Sequence, residues 1–456
     1  MSIVGIDIGT TSVGGVLYDP SEGRVIRQES KDHRASLESP VAGAVLQDPD
    51  TIFRVAAEVV TKLTRVSGQQ SGRPQAVGLT GQMHGILYID KQGEACSPLF
   101  TWQDRRGAEL VEGESHRSTW VDWIRELTGY CVPSGYGLMS HIINRRDGLV
   151  PEEAVSVATI MDYVGMRLVG RATPCIDMTN AHSLGFFDLQ KGVFDWQALE
   201  KAGIDSVLLP DLTAVDTPVG RLPEGIPVYP AIGDNQAGFL GAVRSVHDTL
   251  LLNIGTSAQA ALFSPHYYAL SLDTGLEIRP FPGSGFLVVG ASLSGGNVIA
   301  LLHDFFRETC RTFCSEDPGE LYDRMNEIMA GQIGAERQYS LPEVRPAFFG
   351  TRADPLLCGG VENLTPSNFN LTDLLDGFIS GIANELYSLY RAVPAERREA
   401  IEHIAGVGNA LKRNRLLHAR IEDAFGLPCT LVPGTEEAAV GAARLAAESV
   451  GGRSEG

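Results

Sequence analysis

One short pattern occurs twice, about half a chain apart. Residues 5–12 read Gly5-Ile6-Asp7-Ile8-Gly9-Thr10-Thr11-Ser12, and residues 252–257 read Leu252-Asn253-Ile254-Gly255-Thr256-Ser257. Asp7 falls opposite Asn253, an Ile-Gly-Thr follows each, and a serine stands close behind. In both places an apolar run enters a Gly-Thr turn and a second apolar run leaves it, at 16–18 and at 260–263. That is the mark of a strand, a tight turn and a returning strand. Recurrence at this distance predicts two copies of one domain, with chance repetition of a common Gly-Thr-Ser turn as the competing reading. The length of 456 residues suits two or three domains at roughly 100–200 residues each.

The remainder alternates strands and helices. Asp48 can cap a helix with Pro49 in its first turn, and Ile52, Val55, Ala56, Val59, Val60 and Leu63 then share one face. A short apolar strand follows at 76–79. Leu375, Phe378, Ile379, Ile382, Leu386 and Leu389 form a second helical stripe, followed by a strand at 401–405 and a helix over 411–425. A last helix begins near Thr435. Such alternation predicts an α/β chain with largely parallel sheets. The boundary is expected between Gly241 and Thr249, giving domains 1–244 and 245–450. A Pro- and Gly-rich surface loop is expected over 341–364, and a disordered tail over 451–456.

Composition narrows the partners. Thirty-seven basic against 56 acidic residues leave a net charge of −19. So acidic a surface repels nucleic acid and anionic membranes, yet allows a nucleotide in an amide-lined pocket. The seven cysteines are scattered, and only Cys310 and Cys314 lie close. Neither a zinc site nor a disulfide framework is expected, and a reducing cytoplasm fits. Met1 to Asp7 lacks the basic start and clean apolar core of a signal peptide, and no apolar run is long enough to span a bilayer.

Several segments carry chemistry. In Asp7-Ile8-Gly9-Thr10-Thr11, a carboxylate at a strand end can hold Mg²⁺, and glycine lets amides approach phosphate. A hairpin with an Asp beside its turn is the plainer reading. Gly255-Thr256-Ser257 repeats the equipment without the acid. Asp234 follows an apolar strand at 228–232, the geometry of a general base; a helix N-cap is the alternative. Gly406-Val407-Gly408-Asn409 precedes a helix and would let a base or phosphate approach the backbone. It is neither a Rossmann fingerprint nor a P-loop. The runs 80–85 and 101–106 are dense in hydrogen-bonding side chains, as a sugar site requires.

Taken in order, these segments resemble the FGGY carbohydrate kinases over nearly the whole chain. The elements are Asp7-Ile8-Gly9-Thr10-Thr11, Gly81-Gln82-Met83-His84-Gly85, Trp102-Gln103-Asp104, Asp162-Tyr163, Gly233-Asp234-Asn235-Gln236, Asn253-Ile254-Gly255-Thr256-Ser257 and Gly406-Val407-Gly408. The run from Gly350 and the helix around Gly381 also fit. The resemblance implies two actin-like ATPase domains of ribonuclease-H-like core, with a cleft between them for ATP–Mg²⁺ and sugar. It implies that Asp234 is the catalytic base, and that Asp7 and Asp234 support Mg²⁺, directly or through water. Gly9, Thr10, Thr11, Gly255, Thr256 and Ser257 would line the phosphates, with Gly295, Gly408, Asn409 and Asn414 along the rest of the nucleotide. Gln82, Met83, His84, Asp104 and Asp162 would join Asp234 around the sugar. A cytoplasmic monomer or homodimer is expected.

The resemblance also narrows the substrate. Glycerol-specific members carry Arg-Glu where this chain has Met83-His84, and Met-His is similar to the ketose kinases. The segments 101–104, 160–163 and 291–297 look more like members acting on sedoheptulose, with xylulose or ribulose as alternatives. A departure stands at Gly14, where the family often has Lys or Arg, and another at Thr351, where it often has Glu. Gly14 gives a second alternative, a catalytically weak sugar-binding regulator on the same fold.

Overall fold

The computed structural model describes residues 1–65, 72–111, 118–270, 274–314, 317–351, 354, 356–434 and 436–451. The chain divides into two compact units: Met1–Gly241 with Pro280–Gly285 and Gly434–Gly456, and Ala242–Arg279 with Phe286–Pro433.

In the first unit the opening strands are β1 (Ile3–Ile8), β2 (Ser12–Asp19) and β3 (Arg24–Asp32), followed by the short β4 (Leu46–Gln47). Helix α1 (Pro49–Thr64) starts where the sequence places it: Asp48 accepts from the Asp50 amide and Pro49 occupies the first turn. The predicted face of α1, from Ile52 to Leu63, is buried. Then come β5 (Val77–Gly81), α2 (Gly137–Arg146), α3 (Ile160–Val169), α4 (Met178–Leu184), β6 (Gly220–Arg221), β7 (Pro227–Gly233) and α5 (Asp234–Ala242). The main sheet runs β6-β7-β5-β1-β2-β3. β1 is antiparallel to β2 and parallel to β5, and β5 is parallel to β7.

The second unit holds β8 (Thr249–Ile254), β9 (Ala258–Ser264), β10 (Leu276–Pro280), β11 (Phe286–Ser292), α6 (Gly296–Cys314), α7 (Leu371–Arg391), β12 (His403–Val407), α8 (Asn409–Arg413), α9 (Arg415–Phe425) and β13 (Cys429–Leu431). Its sheet runs β10-β11-β9-β8-β12-β13. β8 is antiparallel to β9 and parallel to β12, and β12 is parallel to β13. With one strand of each sheet set aside, β6 in the first and β10 in the second, both run third-second-first-fourth-fifth, so the repeated turn marks a repeated fold.

The last helix, α10 (Glu437–Gly451), packs on β1, β2 and β5 of the first unit. Small residues make this possible. Ala439, Ala442, Ala443 and Ala446 are buried, and a β-carbon on Gly5 or Gly78 would stand inside 3.0 Å of the Ala439 or Ala442 carbonyl. α5 crosses α10 equally closely: β-carbons on Gly241 and Gly441 would strike the Glu437 and Ala237 carbonyls. The expected cut at 244/245 thus meets a chain that leaves the first unit at Gly241 and returns to it twice.

Two further expectations change in detail. The helix over 411–425 is two helices, because Asn414 adopts an extended conformation and caps α9. Within 341–364, Glu343–Arg345 pairs antiparallel with Gly360–Glu362. Thr435 and residues 452–456 lie outside the described residues, as do three positions of the run from Gly350 (352, 353 and 355).

Candidate active site

At the end of β1 the chain turns through Gly9, Thr10 and Thr11, and the Gly9 amide donates to the Ser12 carbonyl at 3.0 Å. Every carbonyl of this turn has a donor. His33 Nε2 lies 3.3 Å from the Gly9 oxygen; its Nδ1 accepts from the Ala35 amide, so Nε2 carries the proton and donates. Gln47 Nε2 donates to the Thr10 oxygen at 2.7 Å, and the His33 amide donates to the Thr11 oxygen at 3.1 Å. A trans peptide points its N–H opposite its C=O. Each engaged oxygen therefore turns the amide of the next residue away from that donor, and amides held in this way suit an oxyanion. Trp102 Nε1 donates to the Thr10 hydroxyl at 3.1 Å.

Asp7 stands beside this turn on β1, opposite Gly14 and Thr80. Burial, helped by the negative charges of Asp234 and Glu436, pushes its carboxyl up to about 7. A hard divalent cation would relieve that repulsion, and the donors are all oxygen, so the residues fit Mg²⁺. Among the described residues no three His, Cys, Asp or Glu side chains converge as a cage.

Asp234 is the first residue of α5, immediately after β7. Its backbone is fixed from several sides. The Gly233 amide donates to the Thr179 hydroxyl at 3.0 Å, Asn180 donates to the Ala231 oxygen at 2.9 Å, and Thr80 donates to the Ile232 oxygen at 2.8 Å. Asn235 donates to one Asp234 carboxylate oxygen at 2.8 Å. Gly233 leaves space that the Met83 thioether and the Gln236 amide fill, so Met83 is the floor beneath the strand end.

Gln82 is next to Gly81, which pairs with Gly233 across the sheet. It is buried, with its Nε2 donating to Gln47 Oε1 at 3.0 Å. His84 has a left-handed backbone, φ 75°. It stacks on Tyr136 with ring centroids 4.3 Å apart, and its Nδ1 donates to the Ser183 carbonyl at 2.9 Å. A non-glycine residue held in this region is strained, and such strain concentrates at functional sites.

Asp104 and Asp162 stand apart from this group. The Asp104 carboxylate accepts from Arg106 Nε, Nη2 and backbone amide and from the Ser140 hydroxyl, with both side chains buried. It is saturated as a buried clamp. Asp162 accepts from the Thr159 hydroxyl at 2.6 Å in the first turn of α3, and burial holds its carboxyl well above the usual range. It sits in the core behind β7 with Tyr229, Pro230 and Ala231.

In the second unit the repeated turn is braced differently. The Gly296 amide donates to the Gly255 oxygen at 2.7 Å, and the Asn297 amide to the Thr256 oxygen at 3.1 Å. The N-terminus of α6 thus does what His33 and Gln47 do in the first unit. Gly295 allows the approach, since a β-carbon there would clash with Thr256 and Ser257 backbone. Gly408, at φ 93°, passes against the Ile254 backbone where only glycine fits, and Asn409 opens α8. These residues gather around 254–257. Asn414 does not join them: buried, it caps the Leu417 amide at 2.9 Å and contacts the Met329 sulfur.

The N-terminal domain of the FGGY family of carbohydrate kinases matches residues 2–241, and the family's C-terminal domain matches residues 250–450. The chain is 30% identical to a sedoheptulokinase of Mus musculus, over 93% of each chain. It is 29% identical to a sedoheptulokinase of Homo sapiens, over 96% of each. Among solved structures it is similar in fold to a xylulose kinase from Rhodospirillum rubrum, with a TM-score of 0.80 and 22% identity, covering 99% of this chain and 90% of that one.

Proposed function

Because the chain belongs to the FGGY family of carbohydrate kinases, and so is a sugar phosphotransferase, we propose that it transfers a phosphoryl group from ATP to the terminal hydroxyl of sedoheptulose. The observation that carries the choice of sugar is the near-full-length similarity to sedoheptulokinases. The Met83-His84 pair, with Met83 packed against Gly233 next to Asp234, supports a ketose over glycerol.

In this reading Asp234 takes the proton of the attacking hydroxyl. Its position at the start of α5, with one oxygen oriented by Asn235, supports that role. The outward amides after Gly9, Thr10 and Thr11 hold phosphate oxygens, and Gly255, Thr256 and Ser257 supply a second phosphate-binding turn. Gly295, Gly408 and Asn409 leave backbone open to the nucleotide. Gln82 and His84 fix the sugar against the base. Asp7 and Asp234 would hold Mg²⁺, directly or through water, and the ion would neutralise charge on the phosphates. Phosphoryl transfer demands mainly this in-line positioning and charge neutralisation.

The test is ADP release with ATP–Mg²⁺ across sedoheptulose, D-xylulose, D-ribulose, L-ribulose, D-fructose and glycerol, with a no-sugar control. Preference for sedoheptulose is the expected result. Preference for xylulose or ribulose overturns the heptulose assignment and leaves a ketose kinase. Asp234→Ala is expected to abolish transfer while ATP binding, followed by calorimetry, persists; near-normal turnover in that variant removes Asp234 from the base role.

A further inference from the structure

Gln47 is buried, lies on β4, and makes two hydrogen bonds of opposite sense. Its Nε2 donates to the Thr10 carbonyl at 2.7 Å, and its Oε1 accepts from Gln82 Nε2 at 3.0 Å. The direction of this relay is forced. A backbone carbonyl only accepts, so the Gln47 amide must present its NH₂ to Thr10. Its oxygen is then left facing Gln82, which must answer with its own NH₂. The second Gln82 contact agrees, since Nε2 also approaches the Gly9 carbonyl at 3.5 Å.

The far end of the relay is Gln82 Oε1, a buried oxygen without a hydrogen-bond partner. A buried acceptor with no donor is costly, and native proteins keep few of them. Gln82 follows Gly81, whose partner across the sheet is Gly233, so this oxygen is carried by the residue beside Asp234 in register. A hydroxyl of the bound sugar is the donor that the site supplies.

We propose that Gln47 is a positioning residue that ties the phosphate-side turn to the sugar side. It fixes the Thr10 carbonyl and, in the same amide plane, aims Gln82 Oε1 at a sugar hydroxyl. The proposal rests on the sugar-kinase reading of the site but not on which sugar is bound. Gln47 touches neither reactant; it acts through Gln82 and through the turn.

The experiment is a double-mutant cycle with Gln47→Leu and Gln82→Leu, using whichever sugar of the panel wild type turns over fastest. Sugar KM, ATP KM, kcat and Tm are measured for each. Loss of one oriented hydrogen bond between neutral groups corresponds to a rise in sugar KM of about threefold to tenfold. That rise is expected in both single variants, and adding Gln47→Leu to Gln82→Leu should raise sugar KM no further. Gln47→Glu covers the case in which Gln47→Leu folds poorly. It keeps the acceptor for Gln82 but has no donor for Thr10, so ATP KM should rise more than sugar KM. Unchanged sugar KM in Gln47→Leu, or equal effects of Gln47→Leu with and without Gln82, overturns the relay and leaves the kinase reading standing. No sugar-dependent turnover in wild type overturns both.

Discussion

The carboxylate of Glu436 occupies the space where the side chain of residue 14 would begin. A β-carbon on Gly14 would stand well inside 3.0 Å of Glu436 Oε2, while Glu436 Oε1 accepts from Gln28 at 3.0 Å. The missing basic residue of the sequence is thus matched by an acid brought in from the end of the chain. Crowding of this kind differs from crowding against backbone. At Gly14 the obstacle is the end of a flexible side chain; at Gly5 it is the Ala439 carbonyl of α10. Gly14→Ala should therefore cost under about 1 kcal/mol, as Glu436 swings away. Gly5→Ala should cost about 3 kcal/mol or more, because helix and sheet must separate. Urea denaturation checks the contrast, and equal costs would refute it.

Asp7 makes metal-free stability depend on pH with a defined sign. Its carboxyl titrates near 7 when folded, against a reference of 3.8, through burial first and then Asp234 and Glu436. The folded state therefore holds a proton that the unfolded chain releases above about pH 4. Stability from this residue is full below pH 4 and declines as pH rises to about 7. Asp177, pushed up to about 6 by burial, acts in the same sense; His141, pushed down to about 4 by burial, acts in the opposite one. The difference between Asp7→Asn and wild type removes both background effects. That difference should favour the variant by about 1–3 kcal/mol at pH 8 after allowance for solvent screening, and shrink toward pH 4. A pH-independent difference in chelator-treated protein would show that Asp7 does not carry the shift.

Much of the site was readable because its signals are local. Asp48-Pro49 starts α1 by capping, the Gly-Thr turns follow from glycine at strand ends, and Asp234 sits at the strand-to-helix junction that its neighbours imply. What escaped reading is long-range. His33 and Gln47 reach the carbonyls of the first turn from 24 and 37 residues away, and no periodicity announces a side chain that bonds a distant carbonyl; Trp102 belongs to a legible motif, but its bond to the Thr10 hydroxyl, 92 residues away, does not. The alanines of α10 are legible as a helix but not as one that returns to the first sheet, since only Gly5 and Gly78 on that sheet reveal the fit. Asn414 enters along the nucleotide through the family resemblance alone, and no local pattern announces that its side-chain oxygen caps the Leu417 amide.

Asp104 gives a direct test of clamp against ligand. Its carboxylate already accepts four hydrogen bonds, three from Arg106 and one from Ser140. Neutralising Asp104 leaves the buried Arg106 with only its longer ion pair to Asp147 at 3.5 Å, and loss of a buried partner costs up to about 3–5 kcal/mol. Asp104→Asn should lower stability by that order while sugar KM, measured well below the variant's Tm, stays within about twofold of wild type. A large KM rise with unchanged Tm would restore Asp104 to the sugar contacts.

His84 offers the reverse combination. Its left-handed backbone costs a non-glycine residue about 1–2 kcal/mol, and its ring is held by Ser183 and Tyr136. His84→Gly removes the strain together with the ring contacts, so the two changes oppose each other in stability. His84→Ala keeps the strain and loses the contacts, so it should be the less stable of the two by about 1 kcal/mol. Both variants lose the same ring, which the proposed function sets against the sugar, and should share a rise in sugar KM of about tenfold. Equal KM and unequal Tm is the signature of strain retained to aim a functional ring. If His84→Gly binds sugar as wild type does, the left-handed turn serves packing alone.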